Sequence, residues 1–185
     1  MPSRALFAKG EFTLEPLDLN EATREVIALS SNDLQRNRIV LELELPSDLP
    51  LISGDRVQLQ QVILNLIRNA MDAMVDVHDR PRQLRIRTAP EDDQRVRLTV
   101  RDTGIGLVLE SMSALFDAFY TTKSSGMGVG LFISRSIIER HEGRLWADPN
   151  DGPGASFSFV VPCAQPSGAS ATQTHTPVSS SAPTR

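Results

Sequence analysis

Apolar and polar positions alternate along this chain in two rhythms, and the switch between them marks the elements. From Leu19 to Arg36 the apolar residues recur at helical spacing, with Asn20 near the start of the predicted helix. Ile39 to Leu45 then alternates apolar and acidic residues at period two, the pattern of a half-buried strand. Pro46 to Pro50 turns the chain. A long helix follows from Asp55 to Asp76, then paired strands at Leu84 to Thr88 and Val96 to Arg101. A third helix is expected from Val129 to Glu142, with Gly143 in the C-terminal capping position, before closing strands at Arg144 to Ala147 and Ser156 to Val161. Three main helices over a mixed sheet predict an α+β protein, a two-layer α/β sandwich with one sheet face buried.

Composition changes this picture at the ends. From Cys163 onward Ser, Thr, Ala, Pro and Gln dominate, a composition that buries too little apolar surface to offset its ordering entropy. Residues 163–185 are therefore expected to be a disordered tail, residues 11–162 the folded domain, and residues 1–10 the end of an upstream helix or linker. With 185 residues, 40% of them hydrophobic, one domain with a real core is expected. A net charge of −4 with scattered arginines carries no nucleic-acid footprint. Cys163 is the only cysteine, so no internal disulfide can form and a reducing, cytoplasmic setting is the default. No apolar run approaches the ~20 residues of a membrane span, so this segment is expected to make no direct membrane contact.

The chemistry concentrates in four segments. At about 100° per residue, Asn65 and Asn69 lie ~40° apart on the second helix, with Asp72 ~20° to the other side of Asn65. Gln58, Gln61 and Asp76 share this amide-rich stripe, opposite Leu59, Ile63, Ile67, Ala70 and Met74. Amides offer a carbonyl acceptor and an NH2 donor, which suits a metal–polyphosphate complex. Asp102-Thr-Gly104-Ile-Gly106 directly follows a strand. A carboxylate there can accept from the exocyclic amine of adenine, a donor that guanine lacks at that position, and the glycines let backbone approach a base. Gly126-Met-Gly128-Val-Gly130 opens a helix whose N–H groups and dipole can meet phosphate. Its spacing is neither that of the Rossmann fingerprint nor that of a Walker A loop. Between the loops lies Phe116-Asp-Ala-Phe119-Tyr-Thr-Thr122-Lys123.

In this order and spacing the four segments resemble the N, G1, F and G2 boxes of the ATP-binding domain of sensor histidine kinases of the short-lid type. The resemblance covers about Leu17 to Pro162 and implies the Bergerat (GHKL) fold, Mg²⁺ and ATP. It implies Asn69 as the Mg²⁺ ligand and Asn65 as a second metal or phosphate contact. It implies Asp102 as the adenine reader, its pocket shaped by Gly104 and Gly106. Thr122, Lys123, Gly126, Gly128, Val129, Gly130 and Leu131 would surround the phosphates, Lys123 neutralising charge beside a mobile lid that Phe116 and Phe119 pack. Arg68 either reaches a phosphate or covers surface with its stem, Asp72 orders water or lid backbone, and Ser156 reaches adenine through water.

Related ATP hydrolases carry a glutamate base where this chain has Asn65, which cannot take a proton at neutral pH. The reading is therefore phosphoryl transfer by positioning and charge neutralisation to a histidine on a dimerisation domain outside this chain, with a downstream response regulator as the next partner. His78, His141 and His175 lack the surroundings of a phosphoacceptor; His141 is expected to be a favourable charge at a helix C-terminus. The alternatives are a water-using ATPase of the same superfamily and a nucleotide-sensing binding module.

Overall fold

The computed structural model describes residues 12–107, 115–117 and 129–165. The elements run β1 (Glu15–Leu17), α1 (Leu19–Arg36), β2 (Val40–Glu44), β3 (Ile52–Gly54), α2 (Arg56–Met74), β4 (Gln83–Asp92), β5 (Arg95–Asp102), α3 (Gly130–Arg140), β6 (Arg144–Pro149) and β7 (Ala155–Pro162). Five strands form one mixed sheet in the order β2-β4-β5-β7-β6, with β2 parallel to β4 and the other pairs antiparallel. The three helices cover one face, giving the two layers expected.

The core explains which face that is. Leu84, Ile86, Leu98, Val100, Phe157, Phe159 and Val161 alternate inward along three central strands and are all buried. Against them α2 buries eight residues, from Leu59 through Val62, Ile63, Leu66, Ile67, Ala70 and Met71 to Met74. Each large apolar side chain so buried contributes about 1.5–3 kcal/mol, which makes α2 the most firmly seated helix. The apolar face is wider than the expected stripe, and Gln61, Asn65 and Arg68 border it.

Both long helices start on aspartates. Asp18 accepts from the Glu21 N–H and Asp55 from the Gln58 N–H, each at 3.0 Å. Asn20 is instead buried, donating to Pro46 O at 2.7 Å and accepting from Thr88 Oγ1 at 2.6 Å. At the end of α3 the left-handed residue is Glu142 (φ 56), not Gly143. The Gly143 N–H closes the motif by donating to Ile138 O at 2.9 Å. Gly143 is required because a Cβ there would overlap the carbonyl oxygen of Val160.

The small β1–β3 sheet was not expected, and β4 is longer than the predicted strand, with an irregular register between Pro90 and Asp92. The outward sheet face carries Arg85 paired with Glu42 at 2.6 Å, and Trp146 flanked by Arg97 and Arg144 at 5.6 and 5.3 Å from its ring centre. Among the described residues no helix is long and apolar enough to cross a membrane.

Candidate nucleotide-binding site

Helix α2 organises the site because two of its turns meet two different elements, with Asn69 on the turn between them. At Asn65 it meets the start of α3. The Asn65 NH2 donates to Ser134 Oγ at 2.8 Å, and Ser134 is buried. Gly130 is packed so closely that a Cβ would lie 2.6 Å from Asn65 Oδ1. Asn65, Arg68, Gly130 and Ile133 line a cleft between the two helices. One turn on, Asn69 is half-buried and makes no side-chain hydrogen bond among the described residues. A further turn on, Ala73 meets the loop after β5: its carbonyl accepts from the Ile105 N–H at 3.0 Å, and a Cβ on Gly104 would lie 2.5 Å from the same oxygen. The helix rise puts Asn65 and Ala73 ~12 Å apart along the axis. An extended nucleoside triphosphate spans a comparable length.

The carboxylate of Asp102 is the most constrained polar group in the site. It is 1% exposed, at the end of β5 on the helix-covered face. The Gly104 N–H donates to its Oδ1 at 2.7 Å and the Ala155 N–H to the same atom at 3.4 Å. Both bonds fall on one oxygen, so among the described residues Oδ2 keeps lone pairs to offer. Burial pushes the carboxyl above the ordinary carboxylate range, and the two amide bonds pull partly the other way. Gly154 (φ +88) backs this residue, since a Cβ there would run into the Asp102 carbonyl oxygen; Gly106 (φ +81) packs in turn on Gly154.

At the other end α3 begins on Val129, which gives its first turn no side-chain cap. Among the described residues no side chain takes up the first-turn N–H groups, Gly130 and Leu131 among them, and these lie next to Asn65. Asp72 is exposed on the same helix as Asn69. Thr122, Lys123, Gly126, Gly128 and Phe119 lie outside the described residues; Phe116 packs against the core.

Two expectations need correcting. Ser156 pairs with Arg101 in the sheet and so faces away from Asp102, its Oγ donating to Asn150 Oδ1 at 2.7 Å. The strand residue beside Asp102 is Ala155, which offers backbone only. His141 is 1% exposed, and its Nε2 accepts from the Asp55 N–H at 3.0 Å. A ring nitrogen that accepts from a backbone amide carries no proton, and Nδ1–H is left to donate to Ile137 O at 2.8 Å. The ring is thus the neutral tautomer joining the end of α3 to the start of α2, not a helix-end charge.

Two residues that the sequence reading passed over also shape the site. Asn150 Nδ2 donates to Asp102 O at 2.9 Å and to Pro153 O at 3.0 Å. Arg80 donates from Nε to Thr103 O at 3.0 Å and from Nη2 to Gly104 O at 2.8 Å. The Asn-Asp-Gly-Pro-Gly run at Asn150 carried a turn signal; Arg80 carried none.

A family profile described as histidine kinase-, DNA gyrase B-, and HSP90-like ATPase matches residues 54–165. The chain is 40% identical over 161 residues to the sensor protein FixL of Bradyrhizobium diazoefficiens, an alignment covering 87% of this chain and 32% of that protein. The catalytic domain of the histidine kinase ThkA superposes with a TM-score of 0.72 at 30% identity, covering 81% of this chain and 95% of that one. Full-length ShkA, solved in complex with AMPPNP, gives 0.73 at 29% identity, covering 86% of this chain and 33% of that one. The chain thus spans about a third of the length of FixL.

Proposed function

Because the chain belongs to the histidine kinase-, DNA gyrase B- and HSP90-like ATPase family, we propose that it binds Mg-ATP as the catalytic domain of a sensor histidine kinase. In this role it presents the γ-phosphoryl group to a histidine on a dimerisation domain outside this chain, and a response regulator receives the phosphoryl group next. The domain would act on the cytoplasmic side.

The observation that carries the nucleotide reading is Asp102: a buried carboxylate with both amide bonds on Oδ1 and, among the described residues, its second oxygen left for a donor. The adenine 6-amino group is such a donor, whereas guanine presents an acceptor there. Asn69 fits a hard cation, because its carbonyl oxygen is half-buried and uncommitted among the described residues. Asn65 keeps its Oδ1 as an acceptor while its NH2 is spent on Ser134. Asn69, with Asn65 beside it, would hold Mg²⁺, whose positive charge would offset that of the phosphates. The first turn of α3, which has no side-chain cap among the described residues, supplies N–H donors to phosphate at Gly130 and Leu131, and Arg68 at the cleft rim adds positive charge. Thr122, Lys123, Gly126 and Gly128 are proposed phosphate contacts on their spacing alone.

Transfer to histidine is favoured over hydrolysis because nothing at Asn65 can take a proton from water. Its amide is tied to Ser134, so it orients α3 rather than a nucleophile. The chain's own work is to bind, align and neutralise, which lowers the barrier without a protein base. Calorimetry with non-hydrolysable ATP and GTP analogues in Mg²⁺ tests the binding. Phosphohistidine formation after joining the chain to an acceptor hairpin tests the transfer. Equal binding of both analogues, or steady hydrolysis of ATP by the isolated chain, would overturn the reading.

A further inference from the structure

The backbone from Thr103 to Ile105 is gripped from two sides, and the grips share peptide units. In the unit joining Thr103 to Gly104, the N–H donates to Asp102 Oδ1 while the C=O accepts from Arg80 Nε at 3.0 Å. In the unit joining Gly104 to Ile105, the N–H donates to Ala73 O while the C=O accepts from Arg80 Nη2 at 2.8 Å. One planar edge of the guanidinium therefore fixes two successive peptide planes. Arg80 lies in the connection between α2 and β4, 23 positions from Thr103. Its ion pair with Asp79 involves a carboxylate whose side chain is 74% exposed, so that pair contributes little. The bond from the cationic edge to the Thr103 carbonyl also polarises the N–H of the same unit, which strengthens the donor facing Asp102.

We propose that Arg80 is a positioning residue for adenine discrimination: it locks the peptide plane that occupies Asp102 Oδ1 and so keeps Oδ2 directed at the 6-amino group. This rests on the nucleotide reading above. Arg80 itself lies behind the loop and touches no reacting atom. Lysine cannot replace it, since an ammonium lacks the planar edge that meets two carbonyls in parallel.

The test uses the whole 185-residue chain and two probes, the β,γ-imido analogue of ATP and its purine-riboside counterpart lacking the 6-amino group. Wild type is expected to prefer the adenine probe by about tenfold or more, the value of one hydrogen bond to a charged group. In R80A this ratio should collapse toward one, chiefly through weaker binding of the adenine probe. R80K keeps the charge and stem, so it folds where R80A is marginal, and should lose the ratio as R80A does. Combining R80A with D102A should cost no more than D102A alone, because both act on one contact. Equal losses for both probes in R80A would make Arg80 merely structural, and an unchanged ratio in either variant would remove its role; both results overturn the proposal. Failure of wild type to bind either probe, or to prefer adenine, overturns the nucleotide reading instead.

Discussion

Replacing Asp102 with Asn isolates the chemistry of one oxygen. The exchange preserves shape, and an asparagine Oδ1 can still accept from the Gly104 and Ala155 amides, at 2.7 and 3.4 Å in the wild type. Its NH2 then stands where Oδ2 stood and meets the adenine amine donor to donor. Rotating the amide relieves that clash but sets NH2 against the Gly104 N–H inside a residue 1% exposed, so no rotamer satisfies both sides. Losing a hydrogen bond to a charged acceptor costs about 1.5–3 kcal/mol, and leaving a buried donor unsatisfied about 1–3 more. Together these predict a fall in ATP affinity of about two to four orders of magnitude. The same NH2 complements a 6-oxo purine, so the inosine analogue should bind D102N better than it binds wild type. Stability should move the other way. Burial raises the carboxyl's pKa in the fold, so the ionised form is penalised at neutral pH, and a neutral amide removes that penalty. Paired calorimetry with adenine and inosine analogues, alongside thermal melts, reads both effects. Retained preference for adenine in a folded D102N protein would show that Asp102 does not read the base.

The pH dependence of nucleotide affinity follows from the same raised pKa: binding favours the carboxylate, so affinity should fall on acidification at a higher pH than an ordinary aspartate would give, and D102N should lose that dependence in the same titration. His141→Leu removes the acceptor for the Asp55 N–H, and we expect a loss of about 1–3 kcal/mol in denaturant unfolding. Gly154→Ala forces a side chain into positive φ against the Asp102 carbonyl, at about 1–2 kcal/mol for the backbone alone. Its melting temperature should drop by about 5 °C or more once the overlap is added, and adenine affinity should fall with it. An unchanged melt would mean that the turn relaxes without cost.

The long elements were legible because their patterns were long. The helices over Leu19–Arg36 and Arg56–Met74 each repeat an apolar stripe through several turns and start on a capping aspartate. Strands β1 and β3 were not, since three residues, one of them Pro16, carry no readable period. Ser156 shows how parity misleads: alternation is exact in a strand, so naming a residue one position away turns the side chain to the other face. His141 had the right neighbourhood and the wrong charge, because the amide it serves belongs to Asp55, 86 positions away in the chain. Arg80 and Asn150 act on backbone carbonyls of distant residues, and no side-chain pattern records a carbonyl that needs a donor. The segments proposed to meet the nucleotide were picked out by residue type and spacing, whereas the residues that hold the Asp102 loop in place become visible only in three dimensions.

The chain has a single tryptophan, and its position makes it an internal reporter with a restricted field of view. Trp146 stands on the outward side of β6 opposite Ser158, between the two guanidinium groups, with its indole N–H on Asp148 at 2.8 Å. The whole thickness of the sheet separates it from the helices and the cleft. Its emission should therefore follow the integrity of the sheet in unfolding and stay silent when a nucleotide enters. One fluorescence channel then measures stability with no contribution from occupancy, so a variant that binds weakly can be told from one that is partly unfolded in the same cuvette. A nucleotide that did change this emission would be moving the sheet as well as filling the cleft.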